Sequence, residues 1–332
     1  MFIIDSYSTA VVFCVITMLC WGSWANTQKL AGSSWRFELF YWDYVAGIVI
    51  LSLLFGLTLG RIGSEGRDFI GDLSQGRLNS YLLAFSGGVV FNLANILLVA
   101  SIAIAGMAVA FPVGIGIALV LGVAINYISQ KQGDPVLLIT GVLLVTAAII
   151  VDALAYRRLS TGLGKTPARG LKLAISGGLL MSLFYFFVQR SMSLDFSNPA
   201  EGKFTPYSAV FVFSVGILLS NLIFNTILMR KPVQGEPVSF YQYFSGPLRI
   251  HLVGIMGGVI WCTGMSFSII AAEKAGPAIS YGLGQGATMV AAFWGVFIWK
   301  EFRNAPTGTL YYIYSMFILF ISGLATIVYA GA

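Results

Sequence analysis

The feature that most constrains this chain is a series of ten apolar stretches, each about as long as a bilayer is thick. They lie at residues 7–30, 39–59, 80–103, 107–128, 136–155, 173–193, 207–229, 250–272, 277–298 and 309–329. A helix needs about 20 apolar residues to cross the hydrocarbon, where the backbone must satisfy its polar groups internally. Because the stretches are long and do not alternate, they predict helices and not a barrel. The predicted fold is an all-α membrane protein with ten transmembrane helices.

The composition agrees with a bilayer as the solvent. Hydrophobic residues make up 58% of the 332 residues and charged residues only 10%, whereas soluble domains carry about 25% charged residues. The net charge of +6 is not gathered into a basic cluster with interleaved aromatic residues, so no nucleic-acid partner is predicted. Residues 1–24 have no basic segment and no small-residue cleavage site. We interpret them as part of the first transmembrane helix and not as a signal peptide.

The distribution of Lys and Arg predicts the orientation, since these residues accumulate in cytoplasmic loops. On the side of residues 156–172 there are twelve: Lys29, Arg36, Arg157, Arg158, Lys165, Arg169, Lys172, Arg230, Lys231, Arg249, Lys300 and Arg303. On the opposite side there are seven: Arg61, Arg67, Arg77, Lys131, Arg190, Lys203 and Lys274. We therefore expect a multi-pass protein of the cell membrane with a basic cytoplasmic linker at 157–172 and both termini outside.

The two halves of the chain repeat each other. A shift of 170 residues superimposes, in order, Gly87-Gly88 on Gly257-Gly258 and Ala105-Gly106 on Ala275-Gly276. Because five is odd, the second set of five helices must enter the membrane inverted. The sequence thus predicts two inverted five-helix repeats, residues 1–156 and 173–332, joined by the linker. Such repeats are typical of transporters that bind substrate between the halves.

Polar and aromatic side chains inside the apolar stretches are the candidates for a substrate site, because polar groups in hydrocarbon are costly and tend to face a cavity or a partner. The candidate substrate-binding residues are Trp21, Trp24, Gln28, Asn92, Asn95, Tyr185, Gln189, Trp261, Tyr281 and Gln285. Amides supply both donors and acceptors, and aromatic faces cover flat or apolar surfaces. The set therefore suits a neutral solute that forms hydrogen bonds. The alternative is that these amides only join neighbouring helices.

Asp43 is the candidate for proton coupling. It lies about one turn into the second apolar stretch, where a carboxyl group can alternate between charged and neutral forms. The alternatives are an interfacial cap or a salt bridge to Lys29 or Arg36. His251, the only histidine, begins the eighth stretch and is also considered as a proton relay.

Two other acidic positions are expected to be structural. Asp152 precedes Arg157 and Arg158 by about one turn, which predicts a surface ion pair. The Glu273-Lys274 pair is expected in a solvated turn.

Metal, cofactor and enzymatic chemistry are not predicted. Cys14, Cys20 and Cys262 lie in apolar stretches without CxxC spacing, so we interpret them as packing residues. Residues 162–166 contain the GKT of a P-loop, but the first glycine of that motif would fall at Leu159 and no strand precedes it. We interpret this segment as a flexible linker. A membrane-embedded enzyme remains the alternative of another class, against which stands the lack of a His/Asp/Glu cluster in the spans.

Several short motifs resemble those of one transporter family. They are Gly22-Ser23-Trp24, Asp43-Tyr44, Gly87-Gly88 with Asn95, Asn126-Tyr127, and Gln285 with Phe293-Trp294-Gly295-Val296 and Glu301-Phe302-Arg303. Over nearly its whole length the chain resembles the ureide permease family of the drug/metabolite transporter superfamily, close to the glucose/ribose and rhamnose porters. The resemblance implies ten helices, an inverted repeat and uptake of small neutral metabolites. The family's plant members have a longer central loop with a P-loop-like motif, and a proline where Ala25 stands here.

Together these observations predict a secondary active transporter, a proton symporter, that takes up a small neutral polar solute. A ureide or nucleobase and a monosaccharide such as a pentose are the leading substrates. An exporter of drugs or amino acids from the same superfamily is the alternative. No cofactor is expected. The expected partners are the solute, protons as the coupling ion and the lipid bilayer, and the sequence is compatible with a monomer.

Overall fold

The computed structural model describes residues 1–32, 35–159 and 168–332, and most of these are helical. The helices of the first half are α1 Tyr7–Ser23, α2 Ala25–Ala31, α3 Phe37–Leu57, α4 Phe69–Gln75, α5 Leu78–Ala105, α6 Met107–Ser129 and α7 Pro135–Leu159. Those of the second half are α8 Ala168–Ser191, α9 Pro206–Arg230, α10 Phe240–Phe244, α11 Leu248–Ala275, α12 Pro277–Gly284, α13 Ala287–Phe293 and α14 Thr309–Tyr329. Within the described residues, ten helical spans are long and apolar enough to cross a membrane, so the predicted fold class is confirmed.

Two of the ten spans are interrupted. The first divides into α1 and α2 at Trp24, where the hydroxyl of Thr27 donates to the Trp24 carbonyl at 2.6 Å and competes with the helical ladder. The ninth divides into α12, α13 and a π-helical turn at Trp294–Ile298. The break after α12 falls at Gln285, between Gly284 and Gly286, because glycine favours helix less than other residues do, apart from proline. Both interruptions carry residues that the sequence assigns to the substrate site.

The predicted linker at 157–172 is shorter than expected. Helix α7 continues to Leu159, and α8 already begins at Ala168. Arg157 and Arg158 lie in the last turn of α7, where positive charge is favourable. The GKT-containing segment at 162–166 lies outside the described residues.

The architecture fits two inverted repeats. Helices α5 and α11 each span 28 residues and begin 170 positions apart. A short helix precedes each of them, α4 and α10 respectively. Each ends at a glycine with positive φ, 77° at Gly106 and 83° at Gly276, which allows the tight turn into the next helix.

The four helices that cross at the centre are in backbone contact through glycines. A methyl group added to Gly88 of α5 would lie 2.0 Å from the carbonyl oxygen of Phe213 in α9. At the equivalent crossing, a methyl group on Gly258 of α11 would lie 1.9 Å from the carbonyl oxygen of Tyr44 in α3. Small residues permit such close helix packing in membranes. The same crossing thus occurs twice, once on each side of the centre.

The ends of the spans define two faces of the molecule. The terminal face carries both chain termini and the connections 58–77 and 192–205. The linker face lies at the opposite end and carries the connections 231–247 and 299–308. Between them, Cys14 and Cys262 are buried, as expected of packing residues, whereas Cys20 is only half-buried.

Candidate functional site

The centre of the molecule is a cluster of aromatic rings from both halves. Phe91 and Trp261 lie at the midpoints of α5 and α11, and their ring centroids are 4.4 Å apart. Trp21 of α1 stacks on Trp261 at 5.9 Å and donates its indole N–H to the Trp261 carbonyl at 3.2 Å. Phe213 and Tyr44 approach Trp261 to 6.1 and 6.4 Å. We call these five rings the central aromatic cluster. Its rings touch, so a solute can enter only when some of them separate.

A chain of polar groups borders this cluster between α3, α5 and α9. The Tyr41 hydroxyl donates to the Asn92 side-chain oxygen at 2.9 Å and accepts from the Asn95 amide at 3.1 Å. The Asn92 amide in turn donates to Ser220 at 2.9 Å. The neighbouring amide of Asn221 is fully buried and has no hydrogen-bond partner among the described residues. Amides and a phenol beside aromatic faces can hold a flat, neutral, polar solute.

A second polar group lies toward the terminal face. The Tyr185 hydroxyl is 3.0 Å from the Ser268 hydroxyl and 3.2 Å from that of Ser280. The Tyr281 ring packs against Tyr185 at 5.2 Å. Phe184 joins both tyrosines to the central aromatic cluster, since it lies 6.2 Å from Tyr281 and 6.0 Å from Phe213.

The structure brings some of the ten predicted substrate residues together and separates others. Trp24 packs on Tyr44 at 4.6 Å and so adjoins the central aromatic cluster. Gln28 is half-buried near the linker end of α2, whereas Gln189 lies near the terminal end of α8 with a buried, unpartnered amide nitrogen. Gln285 is buried at the break after α12. Gln28 and Gln189 therefore lie near opposite faces of the protein and cannot line the same small site.

Sequence reasoning missed several aromatic members of the centre. Phe91 and Phe213 lie in apolar runs and carry no polar group, and Tyr44 stands out only as part of a family motif. The internal repeat would have found them, because shifts of 169 and 170 residues align Tyr44 with Phe213 and Phe91 with Trp261.

Asp43 is bound by two side chains of the second half. Its Oδ1 accepts from the Tyr243 hydroxyl at 2.6 Å, and its two oxygens lie 2.9 and 3.0 Å from Nδ1 of His251. The alternative of a salt bridge to Lys29 or Arg36 is wrong. Those cations pair instead with glutamates elsewhere on the linker face.

The two glutamates differ in their surroundings. Arg36 contacts Glu38 at 2.5 Å, and Lys29 contacts Glu301 at 2.8 Å across the two halves. Glu301 also accepts from the Tyr156 hydroxyl at 2.9 Å. The two contacts of Glu301 hold the linker ends of α2 and α7 to the connection 299–308.

Two predictions about acidic residues are wrong. Asp152 is buried and forms no ion pair with Arg157 or Arg158 within the described part of the chain, because its position on α7 turns it inward. Glu273 is not solvated, since its side chain is 8% exposed and accepts from the Phe196 backbone at 3.1 Å.

The terminal face is closed by a contact between the connections 58–77 and 192–205. Asp72 of α4 accepts from the backbone and the hydroxyl of Thr205 at 2.7 and 2.9 Å, and pairs with Arg67 at 3.1 Å. Arg67 also donates to the backbone of the opposite connection, as at Ala200. We call this contact the terminal clasp. Burial raises the pKa of Asp72, while the hydrogen bonds from Thr205 and the charge of Arg67 oppose that effect.

Over residues 1–32, 35–159 and 168–332, no three His, Cys, Asp or Glu side chains stand close enough to hold a metal ion. The site therefore consists of aromatic, amide and hydroxyl groups, with one buried Asp–His contact beside it.

The sequence matches known transporters over its whole length. The family model described as "Ureide permease" matches residues 40–162 and 145–330. "Ureide permease 2" and "Ureide permease 1" of Arabidopsis thaliana are each 22% identical to it, and each alignment covers 98% of both chains. "Probable ureide permease A3" of Vigna unguiculata is also 22% identical and covers 92% of this chain and 99% of its own. The relatives are named as permeases, which are transporters and not enzymes.

A crystal structure of another protein has a similar fold. It covers 96% of both chains with a TM-score of 0.63 at 16% identity. At this identity the likeness concerns the fold alone.

Proposed function

Since this chain belongs to the ureide permease family and is a multi-pass membrane transporter, we propose that it is a proton symporter for a small neutral polar solute. A ureide or nucleobase is the first candidate substrate, and a pentose is the second. The observation that carries the proposal is the central aromatic cluster with its bordering Tyr41–Asn92–Asn95 hydrogen bonds, built from both halves at mid-span.

The geometry favours a planar ring over a saturated sugar. Phe91 and Trp261 could cover the two faces of an inserted ring, while the amides of Asn92 and Asn95 bind polar atoms at its edge. Gln285 could contribute its side-chain amide from the break after α12, where the residue is buried.

The proposal is tested by transport into liposomes that contain the purified protein. Labelled allantoin, uracil and ribose are offered with and without an inward proton gradient. Accumulation above equilibrium that requires the gradient supports symport, and the preferred compound identifies the substrate class. Gradient-driven efflux alone would indicate the exporter, and equilibration without accumulation would indicate facilitated diffusion.

The proposed binding residues are tested in the same assay. Loss of one buried hydrogen bond costs about 1–3 kcal/mol, so Gln285→Ala and Asn95→Ala should each weaken substrate binding about tenfold. Unchanged affinity in both variants would contradict this placement.

The proposed coupling residue is tested by Asp43→Asn, which keeps the size of the side chain but fixes it in a neutral form. Substrate exchange should continue, because it needs no net proton movement, whereas accumulation should fail. If the variant concentrates substrate as well as the wild type does, Asp43 has a structural role.

We further propose that the linker face is cytoplasmic and that both termini are outside, as the charge distribution predicts. Single cysteines in place of Phe2 and Lys165, in a cysteine-free background, can be labelled with a membrane-impermeant thiol reagent. Labelling of position 165 but not position 2 from outside would refute this orientation.

A further inference from the structure

Asp43 is in contact with the only histidine of the chain. The carboxylate lies in the second turn of α3, and His251 lies in the first turn of α11, which belongs to the other half. Nδ1 of His251 bridges both carboxylate oxygens, at 2.9 and 3.0 Å. The Tyr243 hydroxyl, from the short helix α10, donates to one of them at 2.6 Å.

Asp43 lies deeper in the protein than His251, which is closer to the surface of the linker face. The Asp43 side chain is 3% exposed and that of His251 is 17% exposed. The Nε2 side of the imidazole approaches Gly246 in the turn between α10 and α11, and Trp35 meets the ring edge-on at 5.4 Å. A proton that leaves Asp43 for water on this side therefore meets the imidazole first.

The equivalent positions on the terminal face lack this chemistry. Shifts of 169 or 170 residues place Val212, Leu73 and Tyr81 where Asp43, Tyr243 and His251 stand. The contact between the short helix and the long one is kept there, because the Tyr81 hydroxyl donates to the Leu73 carbonyl at 2.5 Å. On the terminal face, the short helix thus packs on the long helix without an acid–histidine pair. Packing of these helices alone therefore does not require Asp43 and His251.

Few other ionisable groups act on the pair. Burial and the contact with Asp43 raise the pKa of Tyr243, so it remains a neutral phenol and a donor. The other ions near this end of α3, Arg36 and Glu38, are paired with each other at 2.5 Å. The charge of the pair is therefore set by the Asp43 carboxyl and the His251 imidazole.

We propose that Asp43 and His251 form one proton-holding unit that exchanges its proton with the linker face. With the proton bound, an imidazolium faces a carboxylate and the net charge of the pair is zero. When the proton leaves to water on the linker face, a neutral imidazole and an almost fully buried carboxylate remain. That uncompensated charge favours hydration and opening of this face. The inference rests on the proposed symport, because it assigns the proton of that cycle to two residues.

The unit can be observed directly, because the protein contains a single histidine. The protein, labelled with 15N-histidine and embedded in nanodiscs, gives one imidazole whose protonation is followed by NMR between pH 4 and 9. Because Asp43→Asn removes the carboxylate that Nδ1 contacts, the imidazole signal should respond to pH differently in this variant and in the wild type. Tyr81→Phe, the matched variant on the terminal face, should leave the titration unchanged.

Transport supplies the second readout. In liposomes with an inward proton gradient, His251→Gln should reduce accumulation of the transported compound at least fivefold, and Tyr243→Phe should reduce it less. Tyr81→Phe should accumulate it as the wild type does. Thermal melts of each variant reveal any loss of fold.

The two readouts separate the two proposals. Identical histidine titrations in the wild type and in Asp43→Asn would overturn the paired unit, whatever the transport result. Full gradient-driven accumulation by a folded His251→Gln protein would overturn it as well. A wild type that never responds to the gradient would refute symport itself, while the NMR titration would still decide whether the two residues share a proton.

Discussion

The two short helices α4 and α10 occupy equivalent places in the two halves but close the two faces by different chemistry. On the terminal face, α4 supplies Asp72, which is fully buried and bound by Thr205 and Arg67. On the linker face, α10 supplies Tyr243, which bonds to Asp43 beside His251. The closure on the terminal face is formed by partners of Asp72 that include the backbone of Thr205. The closure on the linker face is instead a contact between a buried carboxylate and the single histidine of the chain.

This difference shows how a repeated fold can acquire a direction. Two identical halves would open equally toward both faces, because every contact on one side would have an equal on the other. Here the glycine crossings at Gly88 and Gly258 are nearly identical, whereas the closures around them are not. The two glycine crossings are thus alike, and the terminal clasp and the Asp43–His251 contact make the two faces different.

The largest effect is expected from breaking the terminal clasp. Asp72→Ala removes the acceptor of both Thr205 donors and the carboxylate that pairs with Arg67, which keeps its backbone acceptors. Each buried hydrogen bond lost costs about 1–3 kcal/mol. Gln242→Ala is the matched change in α10, where the side chain only completes a capping box with Ser239 and its loss costs about 1 kcal/mol. Thermal or denaturant unfolding in detergent measures both. Equal losses would show that the buried contacts of Asp72 contribute no more to stability than a helix cap does.

The terminal clasp should also tolerate acid. Since burial raises the pKa of Asp72 above its unfolded value, this group's contribution to stability is fully present at low pH. It is lost as the pH rises through the folded pKa. The wild type should therefore gain stability relative to Asp72→Asn when the pH falls from 7 to about 4, near the unfolded pKa of an aspartate. A relative loss on acidification would mean that the ionised form is the stabilising one.

A smaller effect, equal at both positions, is expected at the two crossing glycines. Gly88→Ala and Gly258→Ala each force a methyl group to within about 2 Å of a carbonyl oxygen on the crossing helix. Such overpacking costs about 1–3 kcal/mol. Gly116→Ala in α6 is the control, because a methyl group there meets no atom within 4 Å. Effects that differ strongly between Gly88 and Gly258 would show that the two helix crossings are not packed alike.

The sequence predicts the spans and their packing turns better than it predicts the contacts between side chains. The ten spans can be predicted because the thickness of the bilayer sets how long an apolar stretch must be. Gly106 and Gly276 mark the turns where a positive φ is needed. The partner of Asp43 depends on which helices become neighbours, and Asp43 and His251 are 208 residues apart. The same limit explains the error at Asp152, since helical position alone does not tell whether a neighbouring helix covers it.

The smallest effect is expected at the exposed ion pairs, one on each face. Lys29 and Glu301 join the two halves at 2.8 Å with side chains 50% and 31% exposed, whereas Arg77 and Glu201 are 3.9 Å apart and 71% and 88% exposed. Exposed pairs contribute about 0–1 kcal/mol, and a double-mutant cycle isolates that contribution. The cycle of Lys29→Gln with Glu301→Gln should give a measurable coupling, because Glu301 is also held by the Tyr156 hydroxyl. The cycle of Arg77→Gln with Glu201→Gln should give none within error. A larger coupling on the terminal face would mean that its closure extends to surface charges, and that the buried contacts of Asp72 alone do not explain its strength.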